Sequence, residues 1–94
     1  MTGAGIQTRR VLYSGRVQGV GFRYTACRIA QARAVTGFVR NLDDGCVELI
    51  AEGAPKELDL LLEEIAAAMS GNIRSAQVAI GPATGQYTSF TVAH

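Results

Sequence analysis

The spacing of apolar residues changes abruptly within the first third of the chain, and this change limits the folds available to it. Over residues 9–17 the apolar side chains fall on one face at period two, which predicts a strand. From Phe22 they recur at intervals of three and four residues, which predicts an amphipathic helix that ends near Val35. Because Gly15, Gly19 and Gly21 separate the two patterns, a glycine-rich loop should connect the strand to the helix.

The rest of the chain carries signals for four more strands and one more helix. Alternation and turn residues predict, in order, strands over 37–42 and 46–52, a helix from Pro55 to about Gly71, and strands over 76–80 and 90–92. The order β-α-β-β-α-β plus a short C-terminal strand favours an α+β, ferredoxin-like two-layer sandwich. Both helices would then cover one face of a mostly antiparallel sheet.

Length and composition are those of one folded domain. The chain has 94 residues, of which 48% are hydrophobic and 18% are charged, so it can fold around a single core. We expect a flexible N-terminal tail at residues 1–8 and one domain at residues 9–94.

The expected strand order brings two separate segments to one end of the sheet. In this fold the first two strands run parallel, with the third strand antiparallel between them. The glycine-rich loop and Asn41 therefore both follow the carboxyl ends of strands two strand spacings apart, on the order of 10 Å. A small ligand could bind between them.

Charge is distributed unevenly along the chain. Seven arginines and no acid precede Asp43, whereas all eight acids lie from Asp43 onward with only Lys56 and Arg74 to oppose them. The two halves carry +7 and −6, which gives the net charge of +1. Either the first half binds an anion, or the two halves pair with one another across the fold. Nucleic acid is disfavoured as a partner, because a nearly neutral chain gains little from counterion release.

The loop itself has the properties of an anion cradle. Closely spaced glycines let successive main-chain N–H groups point into one concavity, and the following helix adds the free N–H groups of its first turn. Arg23 lies in that turn, where its guanidinium can hold two oxygens of a tetrahedral anion. The alternative is an ordinary glycine turn before a helix with a solvated arginine. The candidate phosphate-binding amides are those of Gln18, Gly19, Val20, Gly21 and Phe22.

Three segments together resemble the signature motifs of the acylphosphatase family. They are residues 15–23 (GRVQGVGFR), residues 37–41 (GFVRN) and the pair Asp44-Gly45, and the resemblance extends from about Arg9 to Val92. It implies a small cytoplasmic hydrolase that cleaves the carboxyl–phosphate bond of acyl phosphates. It also implies that Arg23 and the loop amides hold the phosphoryl group, while Asn41 positions the attacking water.

The remaining chemistry of the sequence agrees with such a substrate. We find no metal-ligand cluster and no nucleophile paired with a base, so we expect no metal and no cofactor. An acyl phosphate releases a carboxylate whose conjugate acid has a pKa of about 4, so the leaving group needs no proton donor. Charge neutralisation and a positioned water are then sufficient. Inorganic phosphate should be both product and competitive inhibitor.

Several other polar residues are not assigned to the site. Cys27 could be a redox thiol but is more simply a packing residue, and Arg16 is more simply solvated. Arg40 alternates with Asn41 along its strand and should point to the opposite face. The only histidine, His94, is the last residue, where chain ends are commonly mobile.

Two other functions remain open at this point. One is a stand-alone relative of the acylphosphatase-like domain of hydrogenase-maturation carbamoyltransferases, with carbamoyl phosphate as substrate. The other is a non-enzymatic module of the same fold that binds an anion or a short RNA. RNA-binding sandwiches display aromatic side chains on their strands, and only six aromatics are present here.

The sequence also predicts where the protein resides. Residues 1–8 lack the basic-then-apolar pattern of a signal peptide, and the longest apolar stretch, residues 65–69, is too short to cross a bilayer. Two cysteines in unpaired spacing do not make a disulfide framework. We expect a cytoplasmic monomer with no membrane partner.

Overall fold

The structure is a computed structural model, and it describes residues 5–94 of the chain. These residues form five strands and two helices: β1 (Gln7–Gly15), α1 (Phe22–Gln31), β2 (Val35–Asn41), β3 (Val47–Gly53), α2 (Pro55–Ala68), β4 (Ile73–Pro82) and β5 (Phe90–Val92). Because β1 begins at Gln7, the last two residues of the predicted tail pair with β3, as Gln7 with Gly53 and Thr8 with Glu52. Residues 1–4 of that tail lie outside the described residues.

The five strands form one sheet in the order β4-β1-β3-β2-β5. β3 is antiparallel to both β1 and β2, so those two strands are parallel to each other. β4 is antiparallel to β1, and β5 is parallel to β2. The predicted ferredoxin-like sandwich is therefore confirmed, and the carboxyl ends of β1, β2 and β5 lie at one end of the sheet.

The core lies between one face of the sheet and the two helices. Its residues are apolar and almost entirely buried, because β1, β2 and β3 turn alternate side chains toward the helices. The fully enclosed side chains are Val11, Val17, Phe22, Val39, Val47, Leu49, Leu58, Leu61 and Ile65. The two helices contact each other, and their contacts with the sheet go mainly to β2, β3 and β5.

Several predicted boundaries differ from the structure: β2 begins at Val35 rather than at residue 37, α2 ends at Ala68 rather than near Gly71, and β4 begins at Ile73 rather than at residue 76. Two further differences have a physical explanation. α1 ends at Gln31 rather than near Val35, because Arg33 pairs with Glu57 and Glu64 of α2 and Val35 is already a buried residue of β2. β4 extends through Gly81 and Pro82 instead of breaking there. Pro82 is tolerated because it is the last residue of an edge strand.

The other face of the sheet carries a polar network. Glu48 is 3% exposed, and its two carboxylate oxygens accept hydrogen bonds from Arg10 Nε at 2.6 Å and Arg40 Nε at 2.7 Å. Glu52 accepts bonds from the main-chain N–H groups of Thr84 and Gly85. Arg40 therefore points away from the helices, as predicted from strand alternation.

Candidate active site

The loop between β1 and α1 depends on its glycines. Gly15 has φ of 122°, and a Cβ atom there would lie 2.4 Å from the carbonyl oxygen of Asn72. Gly19 and Gly21 have φ of 75° and 79°, in the left-handed region that favours glycine. Val17 is buried and anchors the middle of the loop in the core. Local conformation and close packing together explain why this segment is rich in glycine.

The first turn of α1 is uncapped. Its N-cap residue is Gly21, which has no side chain to accept a hydrogen bond, and the turn contains no acidic residue. The first helical bond runs from Thr25 N to Gly21 O at 3.0 Å, so the N–H groups of residues 22–24 precede the helical ladder. Free N–H groups and the helix dipole give this end of α1 a positive potential.

Gln18 joins the loop to the turn between β2 and β3. Its Nε2 atom donates to the carbonyl oxygens of Leu42 at 2.7 Å and Cys46 at 2.8 Å. These two bonds hold the loop beside the carboxyl end of β2, where Asn41 lies. The side chain of Gln18 thus links the loop to the β2–β3 turn, a role that the sequence did not indicate.

A cavity of about 370 Å³ opens at this end of the sheet, and we call it the loop cavity. It brings together loop, helix and strand residues that are far apart in sequence. Its lining residues are Val17, Gly19, Gly21, Phe22, Arg23, Tyr24, Asn41, Val92 and His94. Five predicted site residues, Gly19, Gly21, Phe22, Arg23 and Asn41, therefore surround one space, whereas Gln18 and Val20 do not line it.

The arginine at this cavity differs from most other arginines of the chain. Four of the seven that precede Asp43 form ion pairs with acids in the second half: Arg9–Asp59, Arg10–Glu48, Arg33–Glu57, Arg33–Glu64 and Arg40–Glu48. Arg16, Arg23 and Arg28 have no acid partner within residues 5–94. The pairing of the two halves across the fold is therefore observed, and anion binding by the first half stays a prediction for the three of its arginines that have no acid partner.

The contacts of Arg23 come from the end of the chain. Its Nη1 lies 3.4 Å from the carbonyl oxygen of Ala93 and 3.4 Å from Nδ1 of His94. Both distances are long for hydrogen bonds. The guanidinium is held loosely, and its remaining N–H groups are available to a ligand.

Asn41 presents an acceptor without a partner. Its Oδ1 atom is buried and has no hydrogen-bond donor among the described residues. Leaving such an atom unsatisfied costs about 1–3 kcal/mol, so a hydrogen-bond donor that reached Oδ1 would be favoured.

Sequence reasoning did not assign four of the lining residues to the site: Val17, Tyr24, Val92 and His94. His94 is the one whose position depends most on the complete fold. It reaches the cavity because β5 is parallel to β2, which directs the residues after Val92 toward the loop. To predict that His94 reaches the cavity, one must know which strand β5 pairs with and in which direction. The sequence of a three-residue strand indicates neither.

Burial keeps two side chains near the cavity, Cys27 and Tyr13, in their neutral form at neutral pH. Cys27 is 8% exposed, and burial raises the pKa of its thiol. Burial also raises the pKa of Tyr13, whose ring packs 4.9 Å from that of Phe22. Within residues 5–94, no three His, Cys, Asp or Glu side chains cluster as metal ligands would. None of the helices described for these residues is long and apolar enough to span a membrane.

Fold and cavity define a class: a ferredoxin-like sandwich with a glycine loop, an uncapped helix and an unpaired arginine at one end. The model of the acylphosphatase family matches residues 9–92. The acylphosphatase of Methylococcus capsulatus is 42% identical over 88 residues, which cover 87% of this chain and 90% of that protein. The chain therefore belongs to the acylphosphatase family, and it is an enzyme of the class that hydrolyses acyl phosphates.

Solved structures agree with this assignment. The crystal structure of acylphosphatase from Bacillus subtilis superposes with a TM-score of 0.84 and 30% identity, covering 94% of this chain and 99% of that one. The structure of T. kodakarensis HypF superposes with a TM-score of 0.80 and 26% identity, but this chain covers only 12% of it. The predicted family, fold and enzyme class are confirmed.

Proposed function

We propose that the loop cavity is the active site and that it cleaves the carboxyl–phosphate bond without a metal ion. The main-chain amides of the loop and of the first turn of α1, together with Arg23, hold the phosphoryl group. Asn41 positions the attacking water. The observation that carries this proposal is the convergence on one cavity of a guanidinium without an acid partner, an uncapped helix N-terminus and the residue Asn41.

Binding of the phosphoryl group uses preorganised donors. Amides at a helix N-terminus bind anions without rearranging. Arg23 adds a full positive charge and can form two parallel bonds to phosphoryl oxygens. Since its present contacts with Ala93 and His94 are both at 3.4 Å, exchanging them for short charge-assisted bonds is favourable.

Hydrolysis then needs only a water in line with the leaving group. The water oxygen forms a bond to phosphorus while the bond from phosphorus to the carboxylate oxygen breaks, and the carboxylate leaves with the electron pair. The water proton passes to an oxygen of the phosphate product. Because the carboxylate is a weak base, no general acid is required, and positioning with charge stabilisation supplies the catalysis.

Asn41 suits the role of a positioning group. Its oxygen accepts a hydrogen bond from water, and its amide nitrogen donates one. It is too weak a base to take a proton, so its contribution is orientation. The site on the far side of the phosphoryl group from the leaving carboxylate is where such a water must lie.

The deciding experiment measures hydrolysis of benzoyl phosphate by the wild type and by Arg23→Ala, each with and without a chelator. We expect chelator-independent activity in the wild type, competitive inhibition by inorganic phosphate, and a loss of roughly 10²–10³-fold in kcat for Arg23→Ala. Arg16→Ala is the matched control, because Arg16 is an exposed arginine of the same loop that does not line the cavity. Carbamoyl phosphate is assayed in parallel as the alternative substrate.

Three results would contradict the proposal. Loss of activity in chelator with recovery on adding a divalent cation would show that a metal is needed. Near wild-type kcat in Arg23→Ala would remove the arginine from the site. A rate on carbamoyl phosphate far above that on benzoyl phosphate would favour the carbamoyl-specific alternative.

We also propose that the enzyme works as a cytoplasmic monomer. Cys27 and Cys46 are both free thiols, which suits a reducing compartment. Light scattering coupled to size-exclusion chromatography should give the mass of one chain.

A further inference from the structure

A second cavity lies directly beside the loop cavity. It has a volume of about 210 Å³ and is lined by Tyr24, Cys27, Arg28, Gln31 and Val92. We call it the α1–β5 groove, because four of these residues are on α1 and one is on β5. Tyr24 and Val92 line both cavities, so the two spaces are adjacent.

The groove runs along α1 from its N-terminal turn toward its C-terminal end. Tyr24, Cys27, Arg28 and Gln31 are spaced at three, four and seven residues, so they lie on one helix face. Cys27 Sγ and Gln31 Nε2 lie 3.8 Å and 3.2 Å from the carbonyl oxygen of Phe90, which fixes the helix against β5. A molecule whose phosphoryl group binds at the loop can extend along this path.

Arg28 is the only charged residue that lines the groove. It is exposed, and like Arg16, Arg23 and Arg74 it has no acid partner within residues 5–94. Burial raises the pKa of the Cys27 thiol, so this neighbour is neutral at pH 7. The groove therefore offers an acyl chain an apolar wall and one free positive charge.

The distance along the helix suits a small substrate. Arg28 follows Arg23 by five residues, which corresponds to a rise of roughly 7.5 Å along the helix axis and a rotation of roughly 140° about it, so Arg23 lines the loop cavity while Arg28 lines the groove. A benzene ring with substituents at opposite ends has about this reach. A group on the acyl chain can thus meet Arg28 while the phosphoryl group remains at the loop.

We propose that the α1–β5 groove binds the acyl part of the substrate and that Arg28 selects acyl phosphates with a second negative charge. This inference rests on the proposed function of the loop cavity. A carboxylate or phosphate on the acyl chain would form a charge-assisted hydrogen bond with Arg28, whereas a neutral group of the same shape would not.

The test compares two substrates of equal size and different charge. They are 4-carboxybenzoyl phosphate and its neutral counterpart 4-carbamoylbenzoyl phosphate, assayed at pH 7 with wild type, Arg28→Gln and Arg28→Glu. The measured quantity is the ratio of kcat/KM for the two substrates on one enzyme sample. This ratio is independent of how much of the sample is correctly folded.

We expect the wild type to prefer the carboxylate substrate by about two- to five-fold, the size of an exposed ion pair. Arg28→Gln should abolish the preference, and Arg28→Glu should reverse it. Arg74→Gln is the control, because Arg74 is an exposed residue of β4, at the opposite edge of the sheet from β5, and it removes the same charge. This variant should keep the wild-type ratio.

The outcomes separate the two proposals. Suppose that the wild type hydrolyses benzoyl phosphate but shows no preference for the carboxylate substrate, or that Arg28→Gln keeps the wild-type preference. The assignment of Arg28 is then wrong, and the proposed function of the loop cavity stands. If Arg74→Gln loses the preference as well, net charge is the cause and the groove assignment is also overturned. If the wild type hydrolyses none of these acyl phosphates, the proposed function fails and the groove assignment fails with it.

Discussion

The side chain of Asn41 illustrates how one residue can be tested separately from its neighbours. It lies at the end of β2, with Oδ1 buried and no donor among the described residues. Arg23 and the loop residues Gly19 and Gly21 line the same cavity. If Asn41 orients water while Arg23 binds phosphate, substitution at the two positions should affect different measurements.

We predict that Asn41→Ala lowers kcat by about 10²-fold, the cost of removing one well-placed polar group, and leaves the inhibition constant for phosphate near the wild-type value. Arg23→Ala should raise that inhibition constant as well as lower kcat. Steady-state kinetics with benzoyl phosphate and phosphate inhibition test both. Equal losses of phosphate affinity in the two variants would contradict this division of roles.

At the residue scale, glycines with a local role were predictable and a glycine with a long-range role was not. Gly19 and Gly21 stand out because a loop of positive φ needs them. Gly37 has φ of 141°, and a Cβ atom there would lie 1.8 Å from the carbonyl oxygen of Ile50 on β3. Nothing within β2 itself reveals that contact, because it depends on the register between two strands.

At the scale of elements, the position of the loop depends on one side chain. Gln18 bonds to two carbonyl groups of the β2–β3 turn and so connects the phosphate-binding loop to the strand that carries Asn41. Without these bonds the two walls of the cavity would no longer have a fixed separation.

We predict that Gln18→Met, which keeps the length of the side chain and removes the donor, lowers the free energy of unfolding by about 1–2 kcal/mol. For a domain of this size, each kcal/mol lowers Tm by roughly 4–8 °C. The KM for benzoyl phosphate should rise, since the loop amides lose their alignment. Thermal melts and kinetics measure the two effects.

Gln77→Met is the control for this substitution. Gln77 is an exposed residue of β4, so its change should leave Tm and KM near wild type. A Gln18→Met protein with unchanged Tm and unchanged KM would show that the two hydrogen bonds do not hold the loop.

The order and type of the elements were predictable because each carries its own periodicity. Which elements pack against each other was harder to predict from the sequence. Residues 76, 78 and 80 alternate as expected of a strand beside the core, yet Val78 and Ile80 are 49% and 62% exposed. The helices contact mainly β2, β3 and β5, which leaves the β4 edge uncovered. Alternation of apolar residues predicts a strand, but it does not predict which strands the helices cover, because that depends on the tertiary packing.

At the scale of the whole molecule, the segregation of charge along the sequence becomes a set of long-range ion pairs. The most buried acid among them is Glu48, held by Arg10 and Arg40. Burial acts to raise the pKa of Glu48, but hydrogen bonds from the two guanidinium groups outweigh it and hold the pKa below its usual range. The charged form is therefore favoured by folding.

A carboxyl group whose pKa is lowered by folding stabilises the protein above its unfolded pKa and loses that contribution as pH falls. We predict that the free energy of unfolding falls as pH decreases from the ordinary value of 4.5 through the folded pKa. Glu48→Gln should be less stable at pH 7 by about 1–2 kcal/mol, a value reduced because both arginines are half exposed. The free energy of unfolding of Glu48→Gln should also fall less than that of the wild type as the pH is lowered.

Urea denaturation at several pH values measures this dependence. Glu63→Gln is the control, because Glu63 is an exposed glutamate of α2, and it should keep both the wild-type stability at pH 7 and the wild-type acid slope. An identical acid slope in Glu48→Gln would show that other carboxyl groups account for acid sensitivity.

The candidate site was predictable where it follows a motif and hidden where it depends on the complete fold. Arg23, Asn41 and the glycines belong to segments with recognisable composition, and their roles in catalysis stay predictions. The position of His94 in the cavity depends on the pairing of β5 with β2. The lack of an acid partner at Arg28 is visible only once the ion pairs of the other arginines are known.

The loop cavity draws its walls from five parts of the chain: the β1–α1 loop, the first turn of α1, the end of β2, β5 and the residues after it. Neither half of the protein alone contains all of these residues, so we expect a fragment that holds only one half to be inactive. Enzymatic activity therefore requires the complete fold. On heating, the loss of activity should coincide with the loss of β2–β5 pairing at the edge of the sheet.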